Sequence, residues 1–261
     1  QYHFSYSFLL RSVVTGRLKR LNPRTHCPSI MELKPSSSLR PPQSSILHRL
    51  IKLDTALSLH LHTITQPILP RSLLRTLEIS GDGRLFFPIA ISLSLSPLST
   101  SSTHLRSFLT DLLIGSLLDL LLVGLIKHLV RRPRPVYNKD MFLTFAVDHW
   151  SFPSGHSSRV CFIAAFLYLS SAVLGQAMIQ LRSSGIEFVD KRIGLVGFDD
   201  GKVVSIVVLI VLLWSAFTSI SRVFLGRHFV FDVIAGASLG VFEALFVFHF
   251  LNNSILSLIL S

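Results

Sequence analysis

Four stretches of the chain stay apolar long enough to cross a bilayer as helices, and the rest of the sequence takes its meaning from them. They are residues 108–130, 157–181, 203–220 and 232–251. A helix of about 20 residues crosses a hydrocarbon core of about 30 Å, whereas a membrane strand needs only about 9–11 residues. Periodicity does not separate helix from strand inside such runs. Length does, and a helix also satisfies its own backbone groups in lipid. Two weaker segments precede the four. Residues 54–69 mix His60 and His62 into a partly amphipathic pattern, which predicts a helix lying on the membrane or crossing it imperfectly. Residues 85–98 follow the turn Gly81-Asp82-Gly83 and carry Pro88 near their start, where a kink is expected. The pattern predicts an all-α, integral membrane, six-helix bundle over residues 51–253. It has a polar loop over 182–202, a tail over 254–261 too short to cross, and no internal repeat.

Composition agrees and adds one asymmetry. Charged residues make up 15% of the chain, against about 25% in an ordinary soluble domain. The net charge is +11, yet residues 1–50 alone hold eight Lys/Arg against the single acid Glu32. The high isoelectric point therefore belongs to a basic, Ser- and Pro-rich head segment and is no nucleic-acid signature. That segment, expected to be disordered, resembles a plastid or mitochondrial transit peptide. A plain basic tail, or a leader read ahead of Met31, has the same composition. The endoplasmic reticulum is the expected membrane, with a plastid membrane as the alternative. Cys27 and Cys161 make no disulfide framework, and no Cys/His set has metal-binding spacing.

The unusual polar residues fall at the ends of the four long runs. Lys127 and Arg134 stand where the first ends, and Ser154, Gly155 and His156 where the second begins. Ser221 and Arg222 stand where the third ends, and His228 and Asp232 where the fourth begins. Antiparallel helices reverse direction each time, so these four places meet at one membrane face. Three cations beside a helix N-terminus make an anion site that suits phosphate. Gly155 lets the backbone come close to the anion, and the Ser154 hydroxyl can donate to it. His228 and Asp232 share a helix face at i and i+4. A carboxylate on one ring nitrogen leaves the other basic and aimed, as a nucleophile requires, and His156 can protonate a leaving oxygen. Fixed cations can stabilise phosphoryl transfer without Mg²⁺. Singly, each feature is ordinary: a lysine at a helix end is usually a snorkelling anchor. Asp111, Asp119 and Glu243 lie inside the spans, as supports behind the site or as interhelical hydrogen-bonding groups.

The complete set resembles the type 2 phosphatidate phosphatase superfamily, which also includes vanadium haloperoxidases. The matching motifs are Lys127 with Arg134-Pro135, then Pro153-Ser154-Gly155-His156, then Ser221-Arg222 with His228 and Asp232. The resemblance implies His228 as the nucleophile that becomes phosphohistidine, Asp232 as its orienting group and His156 as the proton donor. It implies that Lys127, Arg134, Ser154, Gly155 and Arg222 hold the phosphoryl oxygens, with no metal and no cofactor. Residues 131–138 and 151–153, with Leu225-Gly226-Arg227-His228, look like the polyisoprenoid diphosphate phosphatase branch and the plant lipid phosphate phosphatases of the beta type. The implied substrates are isoprenoid mono- or diphosphates, phosphatidate-type lipids, or both. A lipid phosphotransferase or a catalytically silent scaffold of the same fold are the alternatives. The partners expected are the lipid substrate and the bilayer, with no nucleic acid.

Overall fold

The computed structural model describes residues 46–137, 149–183 and 200–250. Nine helices follow one another there: α1 (Ile46–Thr65), α2 (Arg71–Ser80), α3 (Gly83–Ser94), α4 (Pro97–Ser101), α5 (Thr103–Val130), α6 (Gly155–Leu169), α7 (Ser171–Ser183), α8 (Asp200–Phe224) and α9 (Val230–Phe250). Among the described residues there is no strand, only an isolated bridge between Pro133 and Trp150. The basic head up to residue 45, the tail and most of the polar loop expected over 182–202 lie outside the described residues.

Short polar side chains set the helix starts. The Asp82 carboxylate accepts from the Arg84 amide to open α3, and the Ser102 hydroxyl accepts from the Leu105 amide to open α5. Helix α5 runs 28 residues, about 42 Å at about 1.5 Å per residue, and stops when Arg131 turns left-handed at φ 51°. Helices α5, α8 and α9 are each long and apolar enough to cross a membrane. The stretch expected as one span over 157–181 is instead two helices, α6 and α7, meeting at 68°. The break falls at the adjacent serines Ser170 and Ser171, a common cause of sharp kinks. The helix α2 had no counterpart in the sequence reading, and α1 starts at Ile46, inside the segment assigned to the head.

Helix α6 is the central element. Phe162 and Phe166 are fully buried against Phe108, Leu109 and Leu112 of α5 and Ala244 and Val247 of α9. Phe166 stacks on Phe108 at 5.4 Å between centroids. Three glycines make this packing close. A Cβ at Gly115 would strike the Phe162 ring, and one at Gly236 or Gly240 of α9 would strike the Ser154 or Ser158 carbonyl oxygen of the α6 segment. The outer faces are apolar and exposed: Leu117 and Leu121 on α5, Ile210 and Phe217 on α8, Phe242 and Phe246 on α9. So broad an apolar surface belongs in lipid. The chain is an integral membrane protein.

Candidate active site

The site is assembled by backbone as much as by side chains. After the left-handed Arg131, the chain runs extended through Arg132 and Pro133 and is held to the segment before α6. The Ser151 amide donates to the Arg132 carbonyl at 2.8 Å, and the Ser151 hydroxyl to the Pro133 carbonyl at 3.0 Å. The Ser154 amide donates to the Asp232 carbonyl at 2.9 Å, tying the start of α6 to the first turn of α9. The loop between α8 and α9, which carries His228, is thereby pressed against both.

His228 is 1% exposed. Its Nδ1 lies 2.8 Å from the Ser151 carbonyl oxygen. A carbonyl only accepts, so Nδ1 carries the proton and Nε2 carries the lone pair. Nε2 faces Arg134, whose Nη1 stands 3.3 Å away while donating to the Arg227 carbonyl at 2.9 Å. Burial, followed by the charges of Arg134, Arg222 and Lys127, holds the His228 imidazole well below its usual range. It is neutral at pH 7, with its lone pair toward the cations. Here the structure differs from the sequence reading, which gave the orienting bond to Asp232. That carboxylate lies 3.8 Å from Nδ1 and is held elsewhere, accepting from the Phe229 amide at 2.9 Å and from Arg132 Nη1 at 2.7 Å.

The other residues named from the sequence gather around this ring. Lys127 is buried at the end of α5. Arg222 is fully buried at the end of α8, with Nη1 2.8 Å from Glu78 Oε1 of α2. Arg227 shares the same carboxylate at 3.3 Å. Burial pushes the Glu78 carboxyl up, but the two guanidiniums outweigh it and hold it below the usual range. The buried Ser154 hydroxyl does not cap α6, and neither it nor His156 Nε2 makes a hydrogen bond within the described protein. His156 lies within the fields of Arg222, His228 and Lys127. All eight residues therefore come together at one end of the bundle, with two donor or acceptor groups uncommitted beside a cationic wall. Among the described residues no group of His, Cys, Asp and Glu is arranged to hold a metal ion.

Behind the site, Asp119 of α5 accepts from the Ser158 hydroxyl at 2.5 Å and lies 3.7 Å from Arg159. Glu243 of α9 is buried against it. Asp119 thereby takes the interhelical hydrogen-bonding role expected of an intramembrane acid, whereas neither Glu243 carboxylate oxygen makes a hydrogen bond among the described residues. Sequence reasoning missed Ser151, whose contribution is a backbone carbonyl and so leaves no side-chain signature. It also missed Glu78 and Asp54, which lie outside the motifs, and gave no role to Arg132, which lies between the matched residues of the first motif.

The family model of the PAP2 superfamily matches residues 108–256. The chain belongs to that superfamily. The hydrolase class and the all-α membrane bundle read from the sequence both stand with it. Among PAP2 relatives, the probable lipid phosphate phosphatase beta of Arabidopsis thaliana is 44% identical over 204 residues, covering 78% of this chain and 91% of that protein. The crystal structure of a transmembrane PAP2-type phosphatidylglycerolphosphate phosphatase from Bacillus subtilis matches with a TM-score of 0.55 at 23% identity. It covers 77% of this chain and 86% of that one, a likeness of fold. The PAP2 match begins inside α5, so α1 to α4 precede it.

Proposed function

We propose that this protein is a metal-independent lipid phosphate phosphohydrolase that works through a phosphohistidine on His228. The observation that carries the reading is the fixed tautomer. The Ser151 carbonyl accepts from Nδ1–H, which keeps the proton on Nδ1 and leaves the Nε2 lone pair facing Lys127, Arg134 and Arg222. In the first step Nε2 attacks phosphorus and the bond to the lipid oxygen breaks. His156 gives that oxygen its proton. In the second step water attacks the phosphohistidine, His156 takes the proton back, and inorganic phosphate leaves with Nε2 free again. Lys127, Arg134, Arg222, the Ser154 hydroxyl and the amides at the start of α6 hold the three equatorial oxygens. Their fixed charge stabilises the transition state without a metal.

The place of the site and the name of one relative both support the proposed substrate class. It lies at the ends of membrane helices, where a headgroup meets water while its chain stays in lipid. The Arabidopsis relative is called a lipid phosphate phosphatase. Isoprenoid mono- and diphosphates and phosphatidate-type lipids fit this position. The test is phosphate release by detergent-purified protein from farnesyl diphosphate, phosphatidate and a sphingoid phosphate, with EDTA present. Release from at least one, inhibition by vanadate and loss in His228→Ala are expected. No release from any of the three overturns the proposal.

A further inference from the structure

Helix α1 is built inside out. Its buried residues are Asp54, Ser58 and His62, spaced four apart on one face, while Leu50, Ile51, Leu53, Leu57 and Leu59 are exposed. A stripe of polar groups turned inward on a helix with an apolar outside needs partners, and each has one in the segment around His228. Asp54 Oδ1 accepts from the Phe231 amide at 3.0 Å, and the Ser58 hydroxyl accepts from the Val230 amide at 2.9 Å. These are the first two amides of α9, which have no partner within their own helix. On the other side, the Phe224 carbonyl at the end of α8 accepts from His62 Nδ1 at 2.7 Å. Helix α1 therefore caps both helices between which His228 is strung.

The stripe also reaches the charges of the site. Asp54 Oδ2 accepts from Arg132 Nη2 at 2.6 Å, and Arg132 Nη1 donates to Asp232 at 2.7 Å. The Arg132 guanidinium lies over the Phe229 ring, 4.1 Å from its centroid. One arginine thus bridges two carboxylates, both fully buried. With both carboxylates ionised, the trio carries one net negative charge, set toward the Nδ1 side of His228. Positive charge appears on that side when Nε2 is phosphorylated. We propose that Asp54 is a positioning residue for catalysis, holding Arg132, Asp232 and the first turn of α9 so that the His228 ring is both aimed and electrostatically supported. The inference rests on the phosphohistidine reading. It concerns a helix that precedes the span matched to the superfamily.

Asp54→Asn tests it, because the amide keeps the shape and an oxygen for Phe231 while removing the charge. The groups facing His228 are Lys127, Arg132, Arg134, His156, Arg222, Arg227 and Asp232, with Glu78 and Tyr137 beyond them. The variant replaces none of these residues. Loss of one negative charge disfavours protonation of His228, so the acid limb of kcat/KM moves to lower pH. The kcat itself falls about 10–100-fold, as for other orienting partners. KM stays within about 3-fold, because the phosphate-holding cations are untouched. Asp54→Glu, which restores the charge, recovers part of kcat. Ser58→Ala removes a cap but no charge, so it lowers the melting temperature and leaves the acid limb in place. Wild-type kcat and pH profile in Asp54→Asn overturn the inference alone. So does a loss confined to KM, or one that tracks melting temperature with no movement of the limb. Wild-type protein that neither releases phosphate nor forms an acid-labile phosphoprotein overturns the phosphatase reading, and this inference with it.

Discussion

Replacing Gly236 with alanine places one methyl group where it does the most harm. The added Cβ would meet the Ser154 carbonyl oxygen, with the Ser154 amide nitrogen only 3.3 Å away. Neither atom belongs to a flexible side chain that can swing aside. Ordinary van der Waals separation requires α9 and the start of α6 to part by roughly 1 Å. That gap opens across the proposed reaction centre. Ser154, Gly155 and His156 sit on the α6 side, and Asp232 and the loop bearing His228 on the α9 side. The Ser154 amide bond to the Asp232 carbonyl, 2.9 Å long, spans the same gap. Overpacking of this kind costs about 1–3 kcal/mol of stability. A misplacement of about 1 Å in the reacting groups costs about 10²-fold in rate. The controls are Gly124→Ala and Gly175→Ala, where a Cβ meets nothing within 4 Å. These should be neutral or gain up to about 1 kcal/mol from better helix propensity. Phosphate release in detergent and thermal unfolding on all three variants decide the matter. If Gly236→Ala matches Gly124→Ala in kcat/KM, close approach of α9 to α6 is not what holds the site in register.

Three further outcomes are expected. Arg134→Ala removes the largest of the charges that hold His228 below its usual range. The acid limb of kcat/KM should therefore rise toward the ordinary imidazole range, and a limb that stays put or falls contradicts the assignment. Ser154→Ala deletes a buried hydroxyl that bonds nothing in the described protein. It should leave stability unchanged or slightly higher yet lower kcat by about 10-fold, the worth of one hydrogen bond made to a charged group; a stability loss without a rate loss refutes it. Glu78→Ala strips the fully buried Arg222 of its carboxylate and should cost about 3 kcal/mol. Part of that loss should return when vanadate supplies a replacement anion, and equal melting shifts with and without vanadate would argue against Arg222 as an anion holder.

What the sequence makes legible is the convergence of helix ends. Lys127 with Arg134, Ser154 with His156, Arg222, and His228 with Asp232 are brought to one place by reversal of direction alone, and the structure has them there. What it hides follows a physical rule. The group that fixes the His228 tautomer is a backbone carbonyl, identical in every residue type. Helix α2 is short and of mixed polarity, so neither length nor apolar run announces Glu78. The polar stripe of α1 looks like an imperfection in a lipid-facing helix until its partners in the α8–α9 loop are known. The bend between α6 and α7 needs only two serines, which inside a long apolar run look like tolerated polar residues.

These hidden groups share a purpose in the charge balance. The described side chains around the two imidazoles include five cations: Lys127, Arg132, Arg134, Arg222 and Arg227. They include three carboxylates: Asp54, Glu78 and Asp232. Arg159 with Asp119 forms a further, balanced pair behind them. The carboxylates contact Arg132, Arg222 and Arg227, whereas Arg134 stands at His228 Nε2. Removing the carboxylates would strengthen the field on an anion but leave the arginines free to swing and the buried charge uncompensated. Keeping them fixes Arg132, Arg222 and Arg227 in place, and a guanidinium held in place is a better partner for a phosphate oxygen than a mobile one. On the proposed phosphatase reading, Asp54 and Glu78, outside the motifs, serve phosphate chemistry by holding the arginines that stand around the imidazoles.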